Sequence, residues 1–357
     1  MKVVFVTQEL DPSHAALAQS LDLVRALAGR VDELAVVTRE LRWDAVPANA
    51  TVRTFEARTR PGRVARFERA LGASLPDADA VLVHMVPQFA LLAAPLARVY
   101  RVPVAFWYTH WNASRALRLT THVVDSILSV ERSSFPLADS KVRGIGHAID
   151  VDAFAAGPVI RAGRPTRLLA LGRTARWKGL GTLLDAFAIA VEWGMDATLE
   201  IRGPSLTGDE QLHRAEIAAR IGSEPHLHGR VELCEPVERA RIPALLLAAD
   251  VIVSPNEPRS GSALDKAVLE AAACARPVVT TNSSLAPLLK GLPLDLLAPP
   301  RDPPALAALL QSTTSASDEL LTATGAELRQ RIVANHSLSH WTDSVLAVIS
   351  ELRSSRG

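Results

Sequence analysis

The segment LGRTARWKG (171–179) places two cations, Arg173 and Lys178, in a turn between an apolar strand and a helix. Gly172 lets the backbone turn sharply after the strand. The first N–H groups of the following helix add partial positive charge to the same place. Two cations beside a helix N-terminus are suited to holding a diphosphate. A solvated basic loop is the alternative interpretation of these residues.

A second segment, GSALDKAVLEAAACARPVV (261–279), places an acid among apolar residues. Glu270 has only Ala, Val and Leu as near neighbours on a predicted helix. A carboxylate in such surroundings is costly to bury unless a donor pairs with it, and sugar or ribose hydroxyls are suitable donors. The alternative is a glutamate on the solvated stripe of an amphipathic helix.

Two further candidates depend on where a strand ends. His110 follows the predicted strand that ends at Trp107, and a histidine there would face a ligand or simply be structural. The neighbouring aromatics Tyr108 and Trp111 are typical of a sugar-stacking platform or of a core. The triplet Asp77-Ala78-Asp79 precedes a strand instead of following one, which is the wrong end for a metal site, so we predict no metal.

These residues must be positioned by strands and helices that alternate along the whole chain. Short apolar runs typical of buried parallel strands alternate with helical patterns, which predicts a doubly wound α/β fold. The Gly- and Pro-containing stretch 150–164 separates two such series. We therefore predict Rossmann-like domains over 1–155 and 160–335, with a final helix at 339–353 packed back on the first. The predicted strands are 3–7, 34–38, 80–84, 103–107, 126–130, 167–171, 197–202, 231–234, 251–254 and 278–281.

Composition excludes several classes of protein. A length of 357 residues suits two domains, and 48% apolar with 22% charged residues is typical of a globular protein. The net charge of +1 gives no reason to expect nucleic acid. We find no uninterrupted apolar run long enough to span a membrane and no signal peptide. Cys234 and Cys274 lie far from any CxxC spacing and predict buried thiols of a cytoplasmic protein.

Arginines are concentrated between residues 39 and 69. Eight arginines stand there against four acids, a local net charge of +4. Such a patch would attract an anionic membrane surface or a lipid-diphosphate acceptor; a solvated face is the alternative. The arginines are Arg39, Arg42, Arg53, Arg58, Arg60, Arg63, Arg66 and Arg69.

In their order along the chain, these segments resemble the family 4 glycosyltransferases, which are retaining enzymes with the GT-B fold. The resemblance is strongest over 167–282, and the matching pieces are LALGRTARWKG, VELCEPV, LLLAADVIVSPN and DKAVLEAAACARPVVTTN. VPVAFWYTHW and KVRGIGHAIDVDAF in the first half are also similar. The resemblance implies an acceptor domain and a donor domain facing across a cleft. It implies a UDP-, GDP- or similar nucleotide sugar as substrate, and no cofactor.

The resemblance also assigns roles to residues of this sequence. Arg173 and Lys178 would hold the diphosphate and stabilise charge on the leaving group. Glu270 would accept hydrogen bonds from the ribose hydroxyls, and His110 would contact the donor sugar beside the reacting carbon. The remaining nucleotide-sugar positions are Gly172, Ser262, Leu264, Asp265, Lys266 and Ala267.

Two departures from the family pattern affect the expected site. Ser262 stands where the family has the first of two glutamates, so recognition of the donor sugar is altered, and Asp265 and Lys266 are candidates to replace that acid. The glycine pair common after the first strand is also absent, since the segment reads TQELDPSH (7–14). Close backbone approach to a ligand is therefore not expected there.

The sequence thus predicts a hexosyltransferase that moves a sugar from a nucleotide-diphosphate sugar to an acceptor hydroxyl with retention, in polysaccharide, glycolipid or natural-product biosynthesis. Its expected setting is the cytoplasm, with peripheral contact to an anionic membrane through residues 39–69. A GT-B sugar-nucleotide epimerase or hydrolase and a non-catalytic GT-B subunit are the alternatives. A nicotinamide-dependent oxidoreductase is disfavoured because no GxGxxG follows any strand.

Overall fold

The chain forms two compact units in the computed structural model, which describes residues 1–12, 17, 19–257 and 264–355. The first unit contains 1–150 and 335–355 of these residues, and the second contains 151–257 and 264–334. The division after Asp150 falls at the start of the Gly- and Pro-containing stretch that the sequence predicts as a linker.

Strands and helices alternate in both units, and both sets are numbered in chain order. The first unit contains β1 (Lys2–Leu10), α1 (Gln19–Ala28), β2 (Glu33–Leu41), β3 (Ala50–Thr54), α2 (Arg60–Gly72), β4 (Ala80–His84), α3 (Pro87–Val99), β5 (Val104–Trp107), α4 (Arg115–Val123), β6 (Ser126–Ser129), β7 (Val142–Gly144) and α12 (Leu338–Ser354). The second contains β8 (Thr166–Leu171), α5 (Leu180–Glu192), β9 (Ala197–Arg202), α6 (Gly208–Ser223), β10 (Val231–Cys234), α7 (Ile242–Ala248), β11 (Val251–Ser254), α8 (Lys266–Ala273), β12 (Val278–Thr280), α9 (Ala286–Leu289), α10 (Pro303–Ser315) and α11 (Asp318–His336).

The sheet of the first unit is wholly parallel, in the order β3-β2-β1-β4-β5-β6-β7. In its register Val3 lies opposite Leu34 on β2 and Ala80 on β4. The sequence did not predict β3 and β7, which are the two edge strands. Their residues are short of the continuous apolar run that marks a central strand, because an edge strand is only partly covered.

Helices cover both faces of this first sheet. Successive side chains of β1 point to opposite faces, so Val4 packs under α2, α3 and α4 while Phe5 packs under α1 and α12. The last helix, α12, buries Trp341 at 4.9 Å from Trp107, centroid to centroid, and packs along α1. No helix in the described ranges combines the length and apolar character needed to cross a membrane.

The sheet of the second unit is also parallel, in the order β10-β9-β8-β11-β12. The order of strands reverses between β8 and β11, which lie side by side with Val251 opposite Leu168. In open α/β sheets, ligands bind at the carboxyl ends of the strands where this reversal occurs. The residues that follow β8 and β11 are therefore in the position expected for a binding site.

The Asp77-Ala78-Asp79 triplet has a structural role at the amino end of the first sheet. One Asp79 carboxylate oxygen accepts a hydrogen bond of 2.7 Å from the Lys2 backbone N–H, and the other lies 3.0 Å from an Arg353 guanidinium nitrogen. Among the described residues, no group of three or more His, Cys, Asp or Glu side chains is arranged to hold a metal ion.

Candidate active site

The turn between β8 and α5 is held tightly against its neighbours by glycines. Gly179 has a φ of 66°, and a Cβ there would lie 1.9 Å from the Pro255 carbonyl oxygen. A Cβ on Gly203 would lie 1.8 Å from the Gly172 carbonyl oxygen. At Gly172 itself, a Cβ would lie 3.3 Å from the Lys178 Nζ atom. The close approaches place the lysine at the carboxyl ends of β8 and β11.

Lys178 is buried and paired with an acid. Its Nζ atom donates to the carboxylate of Asp265 and lies 4.8 Å from the centroid of the Trp177 ring. The same carboxylate accepts from Asn256 Nδ2 at 2.8 Å and, as the N-cap of α8, from the Ala267 N–H at 3.2 Å. Burial by itself would raise the pKa of Asp265, but the Lys178 charge and these hydrogen bonds outweigh it and lower the pKa. Lys178 is therefore no solvated loop residue.

Arg173, on the same turn, is held by a buried glutamate on α6. Its guanidinium donates through Nη2 to Glu210 Oε1, and its Nε lies 3.4 Å from Glu210 Oε2. Glu210 also accepts from the Leu206 N–H at 2.6 Å, and it lies in the first turn of α6, where its own N–H donates to the N-cap Thr207 side chain. The Arg173 side chain is 42% exposed, whereas that of Glu210 is 5% exposed. The acid thus fixes the direction of a guanidinium that solvent still reaches.

Glu270 is buried on α8 and faces two cations. One carboxylate oxygen accepts from Arg239 Nη2 at 3.0 Å and lies 3.4 Å from Lys266 Nζ. The Arg239 guanidinium also lies over the Phe154 ring, 5.6 Å from its centroid. The side chain is only 6% exposed, so the solvated-stripe interpretation is wrong. The donors expected for a buried acid are present, but in this structure they are basic side chains.

Sequence reasoning did not single out three members of this cluster: Arg239, Glu210 and Asn256. Arg239 follows β10, the third strand end of the second sheet, and that position is the signal that could have identified it. Arginine is so frequent in this chain that its type alone carries little information. Glu210 and Asn256 act only through a cation or an acid that the fold brings beside them, so no spacing marks them.

The remaining predicted positions are distributed around α8. Leu264 is buried, and the backbone N–H of Ala267 is the group that Asp265 caps. Lys266 lies one turn before Glu270 with its side chain 27% exposed. Ser262 lies outside the described residues.

His110 lies in the first unit, beyond the end of β5. Its Nδ1 accepts a hydrogen bond of 3.1 Å from the Asn112 N–H, so in the neutral ring the proton is on Nε2. The ring stacks on Trp111, which is 40% exposed, with the centroids 5.1 Å apart. Tyr108 and Trp107 are buried in the core, and burial raises the pKa of Tyr108. Of the three aromatics, only Trp111 offers a surface to a ligand.

The second unit therefore brings together four cations and three carboxylates at the carboxyl edge of its sheet, a net charge of +1. The cations are Arg173, Lys178, Arg239 and Lys266, and the carboxylates are Glu210, Asp265 and Glu270. A pocket between the ends of β8 and β11 is lined by Gly172, Arg173, Lys178, Ser254 and Asn256. Cations held in place by buried acids beside a helix N-terminus are suited to binding a polyanionic group.

Residues 165–315 match the family described as Glycosyl transferases group 1. Comparison with curated protein sequences gives no match.

Solved structures resemble the chain over almost its whole length. A complex of Anabaena HepE with UDP and glucose has 17% identity and a TM-score of 0.74, and covers 98% of this chain and 100% of that one. Sucrose-phosphate synthase from Thermosynechococcus elongatus has 17% identity and a TM-score of 0.71, with 99% of each chain covered. A glycosyltransferase from Rickettsia africae has 12% identity and a TM-score of 0.74, with 98% of each covered. At such identities the likeness shows the fold. Residues 165–315 are a group 1 glycosyltransferase domain, and the prediction of a glycosyltransferase built from two Rossmann-like units is confirmed.

Proposed function

We propose that this enzyme transfers a hexose from a nucleotide-diphosphate sugar to an acceptor hydroxyl with retention of anomeric configuration, as in family 4. The observation that carries the proposal is the position of Arg173 and Lys178. Both cations line the pocket where the strand order of the second sheet reverses, and Lys178 lies beside the N-terminus of α8. A diphosphate bound there would meet two side-chain cations and oriented backbone N–H groups.

In this proposal, the cations act on the leaving group. Cleavage of the sugar–phosphate bond leaves negative charge on the departing diphosphate. Preorganised cations stabilise charge that develops in the transition state more than charge already present in the ground state. Lys178, buried against Trp177, acts in a region of low dielectric where its charge is strongly felt. Arg173, fixed by Glu210, supplies a second cation without a large loss of side-chain entropy on binding.

The proposed sites for the ribose and the donor sugar follow from the resemblance. Glu270 would accept from the ribose hydroxyls, and its pairing with Arg239 and Lys266 fixes the orientation of the carboxylate. His110, with its Nε2 proton fixed by the Asn112 hydrogen bond, would donate to the donor sugar.

The identity of the nucleotide is proposed from the neighbours. The HepE structures contain UDP, UDP-glucose, or UDP and glucose. We therefore propose UDP-hexoses as the first donors to test, with no cofactor. Both cysteines are free thiols, which supports a cytoplasmic setting. The acceptor is proposed to be a hydroxyl of a glycan, a glycolipid or a natural product, and peripheral contact with an anionic membrane is part of the proposal.

The proposal is tested first by binding. Purified protein is screened by thermal shift against UDP, GDP, ADP and dTDP and their sugars, because a ligand that binds only the native state raises the melting temperature. We expect UDP and UDP-hexoses to raise it, and the failure of every nucleotide to do so would overturn the proposal. Incubation with donor alone should give almost no turnover, whereas a hydrolase or epimerase would consume or isomerise the donor.

Variants then test the roles of the residues. Lys178→Ala should lower turnover by at least a factor of about 100, a typical loss when one charge-stabilising group is removed. Lys290→Ala, an exposed lysine of the same unit, is the matched control and should retain activity. His110→Ala should leave nucleotide binding unchanged and reduce transfer. Loss of folding in His110→Ala would indicate a structural histidine instead.

A further inference from the structure

Three helices of the first unit form a layer of unusual charge. α2, α3 and α4 lie side by side on one face of the sheet, and the segments 57–72, 87–101 and 115–123 that contain them hold nine arginines and one acid, Glu68. The net charge of these segments is +8, whereas that of the whole chain is +1. The arginines are Arg58, Arg60, Arg63, Arg66, Arg69, Arg98, Arg101, Arg115 and Arg118. We call the outer face of these helices the basic face.

The charge of the basic face is open to solvent. Eight of its arginines are exposed, and Arg63 is half-buried. None of the nine forms an ion pair with any residue that the structure describes. Two other arginines of the 39–69 segment are paired with acids: Arg39 lies 3.1 Å from Glu9 and 3.4 Å from Glu56, and Arg42 lies 3.0 Å from Glu40. The third, Arg53, is half-buried. The exposed and unpaired arginines therefore lie on α2, α3 and α4 and next to them, while Arg39 and Arg42 are neutralised by acids and Arg53 is half-buried.

Apolar side chains are exposed among these arginines. Val99 is 78% exposed and Tyr100 is 44% exposed between Arg98 and Arg101, and Leu119 is 59% exposed beside Arg118. Val64 adds a further exposed apolar side chain on α2. Binding of phosphate groups alone does not require exposed valine and leucine side chains. Arginines interleaved with aliphatic and tyrosine side chains match the interface of a bilayer, where headgroup phosphates lie next to acyl chains.

We propose that the basic face docks the first unit on an anionic lipid bilayer. The guanidinium groups pair with headgroup phosphates, while Val99, Tyr100 and Leu119 enter the interfacial region. Attraction by the anionic surface extends over about a Debye length, roughly 8 Å at physiological ionic strength. The docking deepens the membrane contact included in the proposed function by assigning it to named residues. It does not depend on the nature of the sugar donor, because every residue in it lies in the first unit.

The test is co-sedimentation of the full chain with vesicles of phosphatidylcholine, with and without phosphatidylglycerol. We expect binding only to the vesicles with phosphatidylglycerol, weakened by salt. Each basic residue near an anionic surface contributes about a fivefold factor in affinity, so replacing three should weaken binding on the order of 100-fold. The test variant replaces Arg58, Arg69 and Arg118 by Ser. Its matched control replaces three exposed arginines of the second unit, Arg167, Arg230 and Arg241, by Ser.

The apolar contribution is tested separately by Val99→Ser with Leu119→Ser, which leaves the charge unchanged. We expect weaker binding to anionic vesicles and an unchanged melting temperature, because both side chains are already exposed. Equal binding to the neutral and anionic vesicles, or equal loss in the test and control variants, would overturn the proposal. A higher affinity for duplex DNA than for anionic vesicles would also overturn it, and would assign the basic face to nucleic acid.

Discussion

Replacing Asp265 by Asn is expected to destabilise the empty enzyme and to increase its affinity for a nucleoside diphosphate. Asp265 pairs with Lys178 and caps α8 through the Ala267 N–H. A bound diphosphate would need the same lysine and the same helix N-terminus. Asn is almost isosteric but keeps only one acceptor oxygen. That oxygen can replace either Oδ1, which accepts from the Ala267 N–H, or Oδ2, which accepts from Lys178 and Asn256. Asp265→Asn therefore removes the charge and one of these two acceptor positions.

The size of both effects follows from the burial of the pair. The side chains of Lys178 and Asp265 are 11% and 15% exposed. Removing one partner of a buried pair costs about 3–5 kcal/mol, and the retained oxygen places Asp265→Asn near the lower end, about 3 kcal/mol. If the arriving diphosphate restores half of this by pairing with the lysine, about 1.4 kcal/mol is added to binding, a tenfold gain in affinity.

The assay combines unfolding with calorimetry of UDP binding. Asp209→Asn is the matched control, because Asp209 is 65% exposed and pairs with Arg176 at the surface, where such pairs contribute at most about 1 kcal/mol. We expect Asp265→Asn to melt below the wild type without nucleotide and to recover part of the difference with saturating UDP.

Two results would refute this reasoning. A melting temperature equal to that of the wild type would show that the pair does not stabilise the folded enzyme. Weaker binding of UDP to Asp265→Asn would show that the carboxylate positions Lys178 for the ligand and does not compete with it. Failure of the wild type itself to bind any nucleotide would count against the proposed function. The comparison of melting temperatures would still test whether the Lys178–Asp265 pair stabilises the folded enzyme.

Two further predictions concern stability. Burial and the nearby His147 and His340 lower the pKa of His336 to about 4, from 6.5. Between pH 6.5 and 4 the unfolded chain therefore binds a proton at this histidine that the folded chain does not bind. The free energy of unfolding should fall by about 3 kcal/mol as the pH drops from 6.5 to 4. In denaturant unfolding, His336→Asn should show a weaker dependence of this free energy on pH, and a dependence equal to that of the wild type would contradict the prediction. Gly179→Ala should lower the free energy of unfolding by at least about 3 kcal/mol, because it combines a positive φ with a clash against the Pro255 carbonyl. Gly291→Ala is the control: its φ is 75° and no atom lies within 4 Å of the new Cβ, so it should cost only about 1 kcal/mol. Thermal unfolding measures both, and equal losses of stability would contradict the role of the clash.

The central strands could be predicted from sequence because burial on both faces leaves a direct mark. Val3 to Val6 form a continuous apolar run, which is typical of a parallel strand covered on both faces. The edge strands β3 and β7 carry no such run, since one side of each is unpaired and their side chains are partly exposed. Sequence reasoning therefore misses a strand whose extended conformation depends on pairing with a neighbouring strand and not on an apolar run of its own.

In the candidate site, too, sequence identifies the residues marked by a local pattern and misses those that depend on distant partners. Arg173 and Lys178 could be singled out because their position after a strand and before a helix is a local property of the chain. Glu210 and Asp265 could not be recognised as their partners, because each pair joins elements that are far apart in sequence: 37 residues separate the first pair and 87 the second. Spacing identifies a cation at a strand end. It does not say whether that cation is already neutralised.

That difference bears on how the site works. A lysine as deeply buried as Lys178 would be costly to leave unpaired in the empty enzyme. The ion pair with Asp265 offsets the cost of burying the lysine. The same ion pair weakens the attraction of the site for any anion. The affinity for a diphosphate is then the difference between two pairings of one lysine, and a second cation that solvent still reaches, Arg173, can make the first contact while Lys178 remains paired. An order of events follows in which the diphosphate meets the arginine before the lysine changes partner, and Arg173→Ala should slow association more than Lys178→Ala does.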